Sequence, residues 1–285
     1  MQNSFLREIY FSDSVNFPHR HFHLCYELIA VLEGRVRLRI NEAEYLLSAG
    51  QLALIGAFEE HDIEALSRTY RRYILTLDPP SFERAISDPR LISVFKTRPE
   101  GFAHCFPLPP DSAALLQSML EEQQHADVFS PALIADAMRR FLIQLYRQVP
   151  ARFPSGEKAV SPELLAAQEY IDAHYAEELR IAAVAQAFHL SPCYFSHAFK
   201  TLTGYSPKRY LLLLRLSRAK ELLIHSDLPV AEIALRCGFA SSGSLIRAFR
   251  HTEPIPPSVM TARASGAGTQ HPPKIAQDRY REQIP

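Results

Sequence analysis

Hydrophobic and polar residues along this 285-residue chain follow two rhythms, and the change falls near Asp78. Up to that point the period is two. Arg35-Val36-Arg37-Leu38-Arg39-Ile40 alternates strictly, and Asn41 and Glu42 turn the chain into Tyr45-Leu46-Leu47. The runs Leu52-Ala53-Leu54-Ile55, after Gly50, and Tyr73-Ile74-Leu75-Thr76-Leu77 complete the set. Alternate residues of a strand stand on opposite faces, so this spacing predicts short strands closing into a β-sandwich or barrel. From Ser81 the period lengthens to three and four. Leu115, Met119 and Leu120 make one stripe and Leu133, Ala137, Phe141, Leu145 and Gln148 another, predicting two helices packed against the barrel.

Residues 149–162, rich in Pro, Gly and charge, read as a linker. Helix resumes over Glu163–Tyr175 with Leu164, Ala167, Ile171 and His174. The polar, aperiodic stretch 265–285 is predicted to be disordered. The chain therefore divides into 1–148, 149–162, 163–264 and 265–285. The fold class is α+β, with a barrel and flanking helices followed by an all-α domain.

One helical plan occurs twice in that second half. Leu179, Ile181, Ala182, Val184, Ala185 and Leu190 recur forty-nine residues later as Leu228, Val230, Ala231, Ile233, Ala234 and Phe239. Ala198, Phe199, Lys200 and Pro207 recur at fifty, as Ala248, Phe249, Arg250 and Pro257, so the second copy carries one extra turn residue. In the first copy Ser191 supplies an N-cap oxygen and Pro192 takes the first helical position, where its missing N–H costs nothing. The helix that follows buries Phe195, Ala198, Phe199 and Leu202, turns Cys193, Ser196, His197 and Lys200 outward, and ends at Gly204. The second copy has Ser241 as cap, Leu245, Ala248 and Phe249 inward, and Gly243, Ile246, Arg247 and Arg250 outward. Each copy reads as a helix-turn-helix. Between them Arg209–His225 reads as one helix with Leu212, Leu216, Ala219 and Leu223 on its apolar face, leaving Arg215 and Arg218 to meet phosphates. Such a scaffold presents two recognition helices to successive major grooves, about 34 Å apart.

Charge sharpens this picture. The chain is neutral overall, yet residues 188–263 carry ten basic side chains against four acidic ones, a balance of +6 that leaves −6 elsewhere. A basic end on a neutral protein fits a nucleic-acid module joined to something else. The four cysteines show no paired spacing, and neither a signal peptide nor a long apolar run occurs, which points to a reducing cytoplasm and no membrane span.

Through Ala185, Ser191, Phe195, Phe199, Gly204, Pro207, Tyr210, Ala219, Ile233, Gly238, Phe239 and Phe249, the doubled segment resembles the DNA-binding domain of the AraC/XylS family of transcription regulators. The resemblance implies that Cys193, Ser196 and His197 face bases in one groove and Ser242, Gly243, Ile246 and Arg247 in the next. It also implies a small-molecule effector, a homodimer formed through the helices of residues 81–148, and contact with RNA polymerase if the protein activates. The second copy departs from the family at Pro254, Met260, Thr261 and Ser244. Pro254 lacks an N–H and disfavours helix before it, so the second recognition helix is expected to stop early. The first unit is then expected to carry more of the base discrimination and the second mostly phosphate contacts.

A second constellation lies in the strand region. His21, His23 and Glu27, spaced i, i+2 and i+6, share a face if they sit on one strand, and His61 lies beyond the next strands. Imidazoles and a carboxylate in a barrel mouth suit a divalent metal such as zinc, iron, nickel or manganese, or equally hydrogen bonds to a polar effector. His21 to Gly34 resembles the first motif of the cupin family and Gly50 to His61, more loosely, the second, with Gly56 and Phe58 replacing its usual Pro and Gly. The resemblance implies that His21, His23, Glu27 and His61 occupy ligand positions in a cupin-like barrel.

Three functions are compatible with these features: an effector-responsive transcription regulator, a metal-dependent cupin enzyme, and a DNA-binding protein without an effector. The repeat argues against the enzyme, which has no need of two recognition helices.

Overall fold

A computed structural model describes residues 4–13, 20–97, 99, 101–154 and 161–250. The strands are β1 (Leu6–Ser12), β2 (Tyr26–Glu33), β3 (Arg35–Ile40), β4 (Ala43–Ser48), β5 (Gln51–Ile55), β6 (His61–Ala65) and β7 (Arg71–Leu77). Helices α1 (Pro79–Ile86) and α2 (Pro89–Lys96), strand β8 (Cys105–Pro107), and helices α3 (Ser112–Gln124) and α4 (Ser130–Gln148) follow. All pairings are antiparallel, in one sheet of order β1-β7-β2-β5-β8 and another of order β4-β3-β6.

The alternation decides which side chains go where. Ile29, Val31, Ala53, Ile55 and Ile74 of the larger sheet meet Val36, Leu38, Ile40 and Leu47 of the smaller one inside the barrel. Their strand neighbours Leu28, Ala30, Leu52, Leu54, Leu75 and Leu77 face outward and are covered by the helices. The larger sheet is thus buried on both faces, which is why its strands read as continuous apolar runs and β3 as a clean alternation. Fully buried Arg72 is accommodated inside by lying over the Tyr70 ring, 4.3 Å from its centroid.

Two helices are expected over residues 81–148; among the described residues four lie between Pro79 and Gln148, with β8 among them. The extra pair is capped by local chemistry. Asp78 accepts from the Ser81 amide and Asp88 from the Arg90 amide, each with Pro at the start of its helix. Phe82, Val94 and Phe95 then join Met138, Phe141 and Leu145 against the sheet.

The second half is wholly helical: α5 (Pro162–His174), α6 (Ile181–Ala187), α7 (Pro192–Thr203), α8 (Pro207–His225), α9 (Val230–Arg236) and α10 (Ser242–Arg250). One core unites Leu164, Ala167 and Ile171 of α5 with Phe195, Phe199, Leu216, Ala219, Leu245 and Phe249. Helix α8 is buried on more sides than the expected stripe, since Tyr210, Leu211, Leu213 and Leu214 are covered as well. Between α4 and α5, Pro150–Arg152 forms a single 3₁₀ turn. The expectations for 265–285 and for Pro254, Met260 and Thr261 lie outside the described residues.

Candidate functional site

The paired helices α6–α7 and α9–α10 are built as their sequence spacing requires. Ser191 accepts from the Tyr194 amide to start α7, and Gly204, at φ 81°, ends it with its N–H on the Lys200 carbonyl. Ser241 accepts from the Ser244 amide at the head of α10. Phe195, Phe199, Leu245 and Phe249 are buried, anchoring both helices to α8 and α5. The opposite face of α7 leaves Cys193, Ser196, His197 and Lys200 exposed. On α10, Arg247 and Arg250 are exposed and Ser242, Gly243 and Ile246 half-buried. Each unit therefore offers one polar face on a helix whose other face is locked. That is the arrangement with which a helix enters a groove.

The barrel brings the other four residues together, though not on one strand. Only Glu27 lies on β2; His21 forms an isolated bridge with His61, and His23 follows in the loop before the strand. Their donor atoms nevertheless all fall within 4.8 Å of one another. His23 Nε2 and His61 Nε2 converge on Glu27 Oε2, at 2.8 and 3.0 Å. The other ring nitrogens face backbone carbonyls, His23 Nδ1 that of Cys25 at 2.9 Å and His61 Nδ1 that of Glu59 at 2.8 Å. A proton held on Nδ1 by a carbonyl turns Nε2 into the basic atom, the arrangement that prepares imidazoles for a metal. Burial works to raise the Glu27 pKa, but hydrogen bonds from the two histidines outweigh it and hold the carboxyl well below its usual range. His61 is affected in the opposite sense: burial disfavours its charge, and the bond to Glu27 raises it above the ordinary value. The donor set fits a divalent ion.

This cluster is wired to the helical half. Phe58, at φ 64°, donates its N–H to the His23 carbonyl (2.8 Å), and its own carbonyl accepts from the Tyr205 hydroxyl (2.6 Å). Its ring meets Tyr205 and Tyr210 edge-on, with centroids 6.2 and 5.2 Å away. Lys220 of α8 lies over the Phe22 ring. Glu221 of α8 pairs with Arg7 of β1 at 2.8 Å.

Two matches cover most of the chain. Residues 9–142 match the AraC-like ligand binding domain and residues 184–263 a helix-turn-helix domain. The chain is 27% identical over 245 residues to the HTH-type transcriptional activator RhaS of Salmonella schwarzengrund, spanning 82% of this chain and 84% of that protein. It belongs to the AraC family. Its fold is similar to that of unsaturated fatty acid bound ToxT from Vibrio cholerae, with TM-score 0.65 at 13% identity, covering 92% of this chain and 96% of that one. An apo ToxT variant gives TM-score 0.66 at 13% identity. This AraC-family chain is thus a DNA-binding transcriptional regulator with a ligand-binding N-terminal domain. Among the described residues no helix is long and apolar enough to cross a membrane.

In this regulator Arg215 and Arg218, expected at phosphates, have partners within the chain. Arg215 donates from Nε to the Tyr175 carbonyl (2.7 Å) and from Nη2 to that of Glu177 (2.6 Å), satisfying orphan carbonyls after α5. Arg218 pairs with Glu221 at 3.0 Å and lies 6.0 Å from the centroid of the Tyr175 ring. Arg215 reaches back because its side of α8 packs on the turn after α5, whereas Arg218 stays partly exposed beside Glu221 of its own helix. Spacing alone had no means of marking Glu59, which binds His104 at 3.0 Å, while His104 in turn reaches the Tyr45 hydroxyl at 2.9 Å. His104 stands forty-three positions past His61, and only the pairing of β8 with β5 brings it home.

Proposed function

We propose that this AraC-family regulator is an effector-responsive transcription activator that works in the cytoplasm as a homodimer, contacts RNA polymerase and catalyses no reaction. One observation carries the reading: two capped recognition helices, locked by Phe195 and Phe199 in one and by Leu245 and Phe249 in the other, present polar faces from a single scaffold helix. Cys193, Ser196 and His197 meet bases in one major groove, and Ser242, Gly243, Ile246 and Arg247 in the next. Lys200 and Arg250 meet phosphates, which fix register while base edges specify. Arg215 and Arg218 leave the DNA-contacting set. Residues 1–148 form the sensor and dimerisation domain, 149–162 the linker and 163–264 the DNA-reading domain.

The effector acts through the barrel. His21, His23, Glu27 and His61 hold a divalent ion that shapes the sensor, a reading supported by the carbonyl-anchored Nδ1 atoms. The shift in DNA binding cannot exceed the effector's differential affinity for the two arrangements. The test is selection of DNA from a random pool by the full-length protein. Two enriched blocks about one helical turn apart are expected. Enrichment no better than a salt-matched control overturns the regulator reading, and turnover of a small molecule without DNA, lost in His21→Ala, would establish an enzyme instead.

A further inference from the structure

A cavity of about 830 Å³ separates the sensor from the helical half. Its apolar wall comes from both sides: Leu24, Ala57 and Phe58 from the barrel, and Leu165, Leu202 and Leu214 from α5, α7 and α8. Tyr210 adds an aromatic edge. Into this wall are set five carboxylates (Glu59, Asp78, Glu83, Glu169 and Asp172) and three cations (Arg84, Lys96 and Arg218).

The partners of these charges decide what the cavity selects. Lys96 is held by Glu83 at 2.8 Å, Arg218 by Glu221 at 3.0 Å, and Arg84 lies exposed at the rim with Ser81. Among the acids, Glu59 is bound to His104, Asp78 to Arg7, and Glu83 to Lys96 and the Tyr26 hydroxyl. Asp172 differs. Its one hydrogen bond is from the neutral Tyr210 hydroxyl, 2.8 Å away, and it has no ion-pair partner among the described residues. Glu169, one turn earlier on α5, also lacks an ion pair among them and adds a second negative charge at the mouth. Arg84 and Glu169 are both exposed rim charges of opposite sign, so the charge left unbalanced inside is that of Asp172, beside an apolar surface.

We propose that this interdomain cavity is a binding site for a small organic ammonium ion, its charged nitrogen on Asp172 and its apolar body against Phe58, Leu165 and Leu214. A carboxylate ligand would meet like charge there, and a neutral one would leave Asp172 as it is. Because the walls belong to two domains, occupancy bears directly on their relative arrangement. Burial, opposed by the Tyr210 bond and the Arg218 charge and reinforced by Glu169 and Glu83, pushes the Asp172 carboxyl up to about 6, the mark of a carboxylate short of compensation.

The inference rests on the effector-responsive reading for its regulatory meaning, but the site is tested without DNA. Calorimetric titration of the full-length protein at pH 7.5 (a working condition, about one and a half units above the Asp172 value, so that the carboxylate is charged) would compare 2-phenylethylammonium, phenylacetate and 2-phenylethanol. These probes share a skeleton and differ in charge. The ammonium ion is expected to bind about tenfold or more tightly than either other probe, since one unshielded ion pair is lost or made repulsive. Asp172→Asn, which keeps the partner for Tyr210, is expected to abolish that preference, and Glu163→Gln on an exposed turn of α5 to leave it intact. Equal binding of the three probes, tighter binding of phenylacetate, no ammonium binding, or ammonium selectivity that survives Asp172→Asn would each overturn the site. An ammonium ion that binds as expected yet leaves affinity for the selected DNA unchanged supports the site and counts against its being the effector's.

Discussion

The Tyr205 hydroxyl, in the turn after the first recognition helix, donates to the Phe58 carbonyl of the barrel, 2.6 Å away. Phe58 in turn donates to the His23 carbonyl, so one residue joins the histidine cluster to the DNA-reading half by its backbone alone. Its positive φ costs about 1–3 kcal/mol in a bulky residue and persists where surrounding contacts over-determine it. Tyr205→Phe removes one of those contacts, a loss of about 1 kcal/mol that leaves the fold intact. Faster amide exchange at residues 58–61, with α6 and α7 unchanged, is the expected result. Unchanged exchange at 58–61 would mean that the bond carries no coupling.

Arg215 and Lys200 should separate cleanly as mutants. Arg215→Ala frees two carbonyls that a guanidinium now satisfies and should cost about 2–3 kcal/mol of stability. Lys200→Ala, at an exposed position, should leave Tm alone and lower the slope of log K against log salt by about 1. Gly238→Ala is expected to resemble the first. Its φ is 77°, and a Cβ would stand 2.8 Å from the Ala176 carbonyl oxygen and 2.9 Å from that of Tyr175. Melting curves beside a salt series of DNA titrations check all three. A stable Arg215→Ala with a reduced salt slope would restore Arg215 to the phosphate contacts.

The contrast between these arginines and the recognition helices shows what periodicity carries. Phe195, Phe199, Leu245 and Phe249 were legible because each helix has one wet face, and Ser191 and Gly204 mark its ends chemically. The bonds of Arg215 to carbonyls leave no such signal, because α8 is dry on most sides and spacing does not say whether an arginine beside a leucine stripe meets water or a carbonyl. The four barrel residues are legible by type but not by placement. They do not share a strand; the His21–His61 bridge and the β2 register bring them together, and pairing across sheets leaves no local signal. Helices α1 and α2 leave little trace in the sequence because each is eight residues long, too short for a period to stand out, and Asp-Pro reads as a stop as readily as a cap.

Asp172 sets a pH dependence with a definite sign. Its folded pKa of about 6 lies above the unfolded value near 3.8, so the folded state binds the proton more tightly. Stability from this group is therefore greatest below about pH 4, falls as the pH rises through 4 to 6, and is lower by up to about 3 kcal/mol above that. Asp172→Asn should raise Tm at pH 7 and flatten that part of the profile. A variant less stable than the parent at pH 7 would show that the carboxylate is compensated in solution.

The histidine cluster makes the sharpest demand on chemistry. His23 Nε2 and His61 Nε2 both face Glu27 Oε2, and a divalent ion would compete with protons for these three atoms, so uptake should release protons and weaken at low pH. Zinc titrated into chelator-treated protein is expected to bind at one site per chain. His21 is only half-buried, so His21→Ala should barely move the apoprotein's Tm. It should nonetheless weaken zinc severely, since even partners one step removed from a metal matter by about 10–100-fold. Tight zinc binding unchanged in His21→Ala would place the ion elsewhere. No binding to the parent would leave the four side chains as hydrogen-bonding groups, with Glu27 neutralised by its histidines alone.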